Sequence, residues 1–253
     1  MLNLTGYPIM LLLLSVLAFW AAAWIGAFWR SRQGSLGEET RQFFAIILGA
    51  SLTLLGLIIA FTFSMAVSRY DQRKRCEEEE ANVIGTEYFR ANLLPVADAG
   101  KIRALLKSYL DERVLYYETR NADELRRINS RTAQLETDLW SEASLSVATL
   151  PPPLSTFVLG GMNDVLNSQS YTQAAWWNRI PVAAWILLIC IAIFCNLLIG
   201  YDAPGRRAFF LLILPIALSI SLFLIADIDT PRRGVIRVHP QNLRSLAESL
   251  HSQ

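Results

Sequence analysis

The chain has 253 residues, of which 53% are hydrophobic and only 18% are charged, whereas an ordinary soluble domain has roughly 25% charged residues. Its net charge of +1 gives no reason to expect a nucleic acid partner. Its 3 cysteines show neither a disulfide framework nor a metal-binding spacing, which is typical of a reducing compartment.

Four apolar segments are long enough to cross a bilayer, which takes about 20 residues of helix. They are Ile9–Trp29, Phe43–Val67, Pro181–Gly200 and Ala208–Ala226. Each must be a helix, because the hydrocarbon offers no hydrogen bonds to the backbone. The sequence therefore predicts an all-α, four-span transmembrane protein with a helical cytosolic domain between spans 2 and 3. Its parts are a transmembrane hairpin (1–67), the cytosolic domain (68–180), a second hairpin (181–226) and a cytosolic C-terminal tail (227–253).

The first segment is interpreted as a retained span rather than a cleaved signal peptide. Residues 1–10 contain no Lys or Arg, and the apolar run exceeds the roughly 7–15 residues of a signal peptide core.

Four spans place both termini and the central domain on one side of the membrane. Most of the basic residues near the membrane lie on that side, among them Arg73, Arg75, Arg232 and Arg233. By the positive-inside rule, the termini and the central domain are expected in the cytoplasm.

The second span continues without proline into a charged segment, and the central domain is expected to be helical throughout. Helices are predicted over Ser68–Leu94, Val96–Thr119, Asp123–Leu150 and Leu154–Asn178. Asn121 is expected to cap the third of these, and the prolines 151–153 to end it. The pair Gly160-Gly161 marks either a break in the last helix or a close packing contact.

One stripe of the second helix is the most informative feature of the chain. At about 100° per residue, its members share one face. They are Thr53, Leu57, Phe61, Ser64 and Ser68 along the second span and at its end, then Asp71, Arg75, Glu78 and Asn82 beyond it. This order is typical of a pore wall, with a constriction at Leu57 and Phe61, then hydroxyls, then a charged cytosolic vestibule. The opposite face of the helix carries the apolar residues Leu55, Ile59 and Ala66. The alternative is that the stripe packs on other helices of the same subunit.

Two acidic groups allow both a structural and an ion-binding interpretation. Glu77–Glu80 is either a solvated helix face paired with the basic residues 73–75, or a ring of carboxylates or divalent-ion site. Asp227 and Asp229 either mark the end of the fourth span or act as ion ligands, for which calcium needs about six to eight oxygens.

No catalytic site is expected. The only histidines, His239 and His251, lie in the tail, and the chain has no HExxH, G-x-S-x-G or P-loop motif. We therefore expect that the protein is not an enzyme and has no metal centre. We also expect no cofactor, because passive conduction of ions does not require one.

Three segments resemble the bestrophin-like family of bacterial membrane proteins: GLIIAFTFSMAVSRYD (56–71), RVLYYETR (113–120) and DTPRRGVIRV (229–238). The resemblance implies two spans, a helical cytosolic domain, two more spans and a tail. It also implies a homo-oligomeric channel for small inorganic ions in the lipid bilayer of a bacterial inner membrane, with five copies favoured and four next. It places Leu57 and Phe61 at an apolar neck and Arg69-Tyr70 at the end of the pore helix.

The chain departs from bestrophins at two points. The neck glycine of bestrophins is Ala60 here, and Asp227 and Asp229 stand where bestrophins carry a long acidic calcium clasp.

The alternative function is a non-conducting membrane scaffold whose cytosolic helical domain binds a partner. A symmetric oligomer with the second helix around its axis favours the channel. Packing of that helix against its own subunit favours the scaffold.

Overall fold

In a computed structural model, residues 7–32, 38–202 and 210–252 are described, and within these ranges the chain forms helices and no strands. The helices are α1 (Pro8–Ser31), α2 (Glu38–Arg90), α3 (Val96–Glu118), α4 (Ala122–Ser146), α5 (Pro152–Trp177), α6 (Val182–Asp202), α7 (Ile213–Asp229) and α8 (Gln241–His251). Short 3₁₀ turns over Ala91–Leu93, Val147–Thr149 and Phe210–Leu212 follow α2, follow α4 and precede α7. The prediction of an all-α protein is confirmed.

The chain divides into two compact units. Met1–Arg69 and Arg179–Ile236 form one, here called the membrane unit, and Tyr70–Asn178 and Arg237–Gln253 form the other, here called the helical domain. The residues that directly follow α7 therefore belong to the membrane unit, although the sequence assigns them to the tail.

Three described helical stretches are long and apolar enough to cross a membrane: Pro8–Ser31, Glu39–Leu93 and Pro152–Asp202, the last of which contains α6. The predicted fourth span, Ala208–Ala226, begins outside the described residues. Its described part includes most of α7, a helix of 17 residues that carries Pro215 in its first turn. The four-span layout therefore stays a prediction.

The helix ends follow local chemistry. The Asn121 side chain accepts hydrogen bonds from the backbone N–H of Asp123 at 2.8 Å and of Glu124 at 3.4 Å, so the predicted cap of α4 is confirmed. The break at Gly160-Gly161 is wrong, because α5 runs through both residues. Gly161 is instead a close packing contact: a Cβ there would lie 1.9 Å from a carboxylate oxygen of Glu87 on α2.

A second close contact joins α1 and α6 in the membrane unit. A Cβ on Gly200 would lie 1.8 Å from the carbonyl oxygen of Ala23, and one on Gly26 would lie 2.1 Å from that of Leu197. These helices therefore meet backbone to backbone, as small residues allow in membranes, where helices have no hydrophobic drive to associate.

Candidate functional site

The membrane half of α2 touches its own subunit along one narrow face. Leu55, Thr62 and Ala66 are buried, with exposed fractions of 2%, 4% and 0%. Thr62 and Ala66 follow Leu55 by about two and three helical turns, so the three share one side of the helix. Only 6% of the apolar window of this helix is buried, against 33% for α1. Most of the surface of this span is therefore left for lipid or for another molecule.

The five residues predicted to line a pore lie on the opposite face. They are Thr53, Leu57, Phe61, Ser64 and Ser68, and all five are exposed. They lie roughly half a turn round the helix from the buried face. Leu57 is 52% exposed and Phe61 is 65% exposed, which are high values for large apolar side chains. The alternative, that this stripe packs on other helices of the same subunit, finds no support among the described contacts.

The hydroxyl groups of two threonines in this span are satisfied by the helix itself. Thr53 donates its hydroxyl to the carbonyl of Gly49 at 2.9 Å, and Thr62 donates to that of Ile58 at 2.7 Å. Thr53 can therefore face lipid without an unpaired donor, and its polarity alone does not require a neighbouring subunit. The oxygen of the Thr53 hydroxyl can still accept a hydrogen bond from a group outside the helix.

In the helical domain, the four predicted vestibule residues are also exposed. They are Asp71, Arg75, Glu78 and Asn82, and they lie on the side of α2 that faces away from its buried residues. Glu78 is one turn from Arg75, so opposite charges alternate along the face. The structure thus brings the predicted residues to exposed faces in both units of the chain.

The acidic run Glu77–Glu80 is split between surface and core, so a wholly solvated face is wrong. Glu78 and Glu79 are exposed, whereas Glu77 is 1% and Glu80 is 0% exposed. The Glu77 carboxylate accepts hydrogen bonds from the backbone N–H of Asn242 at 2.8 Å and of Leu243 at 3.0 Å. These N–H groups belong to the first turn of α8, which has no cap of its own. Glu77 therefore caps the C-terminal helix.

Glu80 lies at the centre of a buried polar network. It forms an ion pair with Arg113 of α3, and both side chains are fully buried. Its other oxygen accepts hydrogen bonds from Thr172 at 3.1 Å and from Tyr117 at 3.2 Å. Burial lowers the pKa of Arg113, but the Glu80 carboxylate, together with Tyr109 and Tyr117, raises it above its ordinary value, so Arg113 stays a cation. The network joins α2, α3 and α5 through one carboxylate.

Sequence reasoning missed this network, although one signal was present. Arg113 falls on the apolar stripe of α3, one turn after Tyr109 and one turn before Tyr117. A charge on a buried stripe requires a partner. The pattern gives no indication of which of the four glutamates in 77–80 is that partner.

Asp227 and Asp229 hold the backbone of the membrane unit. The two oxygens of Asp227 accept hydrogen bonds from the N–H groups of Val235 and Ile236, both at 2.8 Å. Asp229 accepts from the N–H of Ile180 at 3.2 Å and lies 3.7 Å from the Arg69 guanidinium. Because these carboxylates bind their own chain, the helix-end interpretation is favoured over an ion site. Within 7–32, 38–202 and 210–252, no three His, Cys, Asp or Glu side chains are placed so that they could hold a metal ion together.

Glu87 is a buried carboxylate of the helical domain, beyond the predicted span Phe43–Val67. It is 0% exposed, and its carboxylate lies 3.6 Å from the guanidinium of Arg90. Burial raises the pKa of Glu87 to about 7, against the opposing effect of Arg90. Arg90 in turn lies over the ring of Phe157, at 4.2 Å. The protonation state of Glu87 therefore changes close to neutral pH.

We expect Glu87 to make the helical domain less stable as the pH rises from about 4.5 to about 7. In this window the folded chain holds a proton that the unfolded chain has lost, so the free energy of unfolding falls with pH. Glu87→Gln, which mimics the protonated form, should raise the apparent Tm at pH 8 by about 5 °C. At pH 5 it should change the Tm little. Thermal unfolding in detergent would measure both, with the exposed Glu78→Gln as control. An equal effect at the two pH values would contradict the assignment.

Comparison with known proteins identifies a family that matches most of the chain. The family model of the Bestrophin-like domain matches residues 13–243. A bacterial bestrophin homologue from Klebsiella pneumoniae, solved with a point mutation, is 14% identical, with a TM-score of 0.65 over 97% of this chain and 98% of that chain. A second mutant structure of that homologue is 15% identical, with a TM-score of 0.67 over 96% and 97%. No curated protein matches the chain.

Proposed function

This chain belongs to the bestrophin-like family, and from that membership we propose that it forms a homo-oligomeric ion channel whose pore is lined by α2. The observation that carries the proposal is the exposure of Thr53, Leu57, Phe61, Ser64 and Ser68, opposite the face that contacts the rest of the subunit. A face of this kind is available to surround an axis shared with other copies.

In such a ring, Leu57 and Phe61 form two apolar collars one turn apart. A narrow apolar collar expels water, so an ion that crosses it loses hydration without gaining ligands. Ser64 and Ser68 follow the collars with hydroxyl groups, and Asp71, Arg75, Glu78 and Asn82 supply a charged vestibule. Small inorganic ions are the permeant species.

The proposal requires a stable homo-oligomer. We expect mass measurement of the purified protein in mild detergent to give a multiple of the 28.5 kDa chain, with five copies favoured and four next. The physical reason is the poorly covered second span, of which only 6% of the apolar window is buried by its own subunit. A single chain as the main species would remove the basis of the channel.

The proposed orientation puts both termini and the helical domain in the cytoplasm of a bacterial cell, with the spans in the inner membrane. The basic residues on the terminal side of the spans support it. A reporter fused after Gln253 and a tag inserted near Pro152 should both be inaccessible to an impermeant reagent added outside. Labelling of either site from the outside would reverse the topology.

A non-conducting scaffold is the second candidate, and one observation favours it. The helical domain has an open groove of about 760 Å³ between α4 and α5, and Trp140 and Leu145 in its lining are 42% and 70% exposed. Exposed apolar grooves of this kind bind helices of partner proteins. Ion flux distinguishes the two candidates, because liposomes that contain a non-conducting scaffold stay impermeable to ions.

A further inference from the structure

A cavity of about 370 Å³ lies beside the start of α1 in the membrane unit, where this helix enters the membrane. One wall consists of Tyr7, Ile9, Met10 and Leu13, and the other includes Arg233 and Val235 from the segment after α7. Ile9 and Leu13 are 65% and 61% exposed and lie one turn apart. The cavity therefore combines an apolar wall along a membrane helix with a cation at its end.

The cation is held in place by an aromatic ring. The Arg233 guanidinium lies 4.4 Å from the centre of the Tyr7 ring, a cation–π distance. Among the residues that the structure describes, no carboxylate forms an ion pair with Arg233. Tyrosine is enriched at the membrane–water interface, where one end of the ring is apolar and the other is wet. The contact with Tyr7 is therefore what we expect of a cation at headgroup depth.

The surrounding charges favour an anion. The one carboxylate in the lining, Asp227, already accepts the N–H groups of Val235 and Ile236. Asp229, the neighbouring carboxylate at the end of α7, lies 3.7 Å from the Arg69 guanidinium and accepts the N–H of Ile180 at 3.2 Å. Both carboxylates are thus engaged within the chain, and Arg233 is the cation in the lining of the cavity.

We propose that this cavity binds an anionic phospholipid, with its phosphate on Arg233 and an acyl chain along Ile9 and Leu13. A guanidinium matches the geometry of a phosphate better than any other side chain. A free anion would leave the apolar wall uncovered, and a neutral lipid would make less use of the cation. The site does not depend on conduction, so its failure and the failure of the proposed channel are separate results.

The test compares lipids on the full-length protein by native mass spectrometry in detergent. Phosphatidylglycerol should bind more tightly than phosphatidylcholine, and Arg233→Gln should lower the ratio of the two affinities about fivefold. Leu13→Ser should weaken phosphatidylglycerol binding as well. The control is Arg41→Gln, because Arg41 also lies near the end of a predicted span, 4.0 Å from Asp202, but away from the cavity.

Three outcomes would overturn the proposal. The first is an affinity ratio that Arg233→Gln leaves unchanged. The second is an equal fall in Arg41→Gln, which would indicate general attraction to anionic lipid. The third is displacement of phosphatidylglycerol by millimolar inorganic phosphate, which would make the site one for a soluble anion. Because Arg233 is exposed, Arg233→Gln is expected to fold, and its elution profile should match that of the wild type.

Discussion

Replacement of Arg113 by alanine is expected to lower the free energy of unfolding by about 3–5 kcal/mol, because it leaves Glu80 charged and buried without its cation. Of the partners that the described residues supply, the carboxylate then keeps the hydroxyl groups of Tyr117 and Thr172, at 3.2 and 3.1 Å. A loss of this size is a large part of the stability of a typical domain. The measurement is the apparent Tm and the yield of monodisperse protein.

The matched control is Arg126→Ala, since Arg126 also pairs with an acid, Asp123, but both side chains are largely exposed. An exposed pair contributes at most about 1 kcal/mol, so this variant should behave as the wild type. The double variant with Glu80→Gln and Arg113→Met should be less destabilised than Arg113→Ala, because neither member of the buried ion pair is left charged without the other. If Arg113→Ala unfolds at the same temperature as Arg126→Ala, the network does not stabilise the domain.

Phe61→Ala is expected to raise ion flux through reconstituted liposomes by about tenfold, which corresponds to a barrier for the ion that is lower by about 1.4 kcal/mol. The smaller side chain widens the proposed neck at the level of Phe61, so that water can remain there. Leu57→Ala should act in the same direction but more weakly. Flux would be followed with an ion-sensitive dye at equal amounts of assembled protein.

Ile59→Ala is the matched control, because Ile59 lies on the half-buried side of the same turn. It removes a similar apolar group without touching the proposed neck. Flux at the wild-type level in well-assembled Phe61→Ala would mean that α2 does not present this face to a pore. The scaffold would then become the better proposal.

The exposed stripe of α2 could be predicted from sequence because a helix imposes its own period. A segment free of proline keeps about 3.6 residues per turn, so Thr53, Leu57 and Phe61 must share a face whatever surrounds them. Whether lipid, a water-filled pore or another protein contacts that face depends on other molecules. The periodicity of one chain does not contain this information. For this reason the pore-lining role stays a prediction.

The buried charges could not be assigned in the same way. Glu77 and Glu78 are neighbours in one acidic run, yet Glu77 is 1% exposed and Glu78 is on the surface. The partner of Glu77 lies 165 residues further along the chain, and that of Glu80 lies 33 residues away. Local pattern contains no information about such partners. Similarly, Gly160 faces open space and Gly161 faces Glu87, and the glycine pair itself does not distinguish them.

The backbone contact between Gly200 and Ala23 has a consequence for biosynthesis. In the chain, α1 and α6 are separated by α2 and by the Tyr70–Asn178 part of the helical domain, so α1 enters the bilayer before its partner exists. At about 5–20 residues per second, the delay lasts on the order of ten seconds. During that time α1 can stay in lipid at little cost, since the hydroxyl of Ser15 bonds to the carbonyl of Leu12 in its own helix. Completion of the membrane unit is therefore a late, post-insertional step, and a ribosome stalled before Gly200 would leave α1 in the bilayer without this partner.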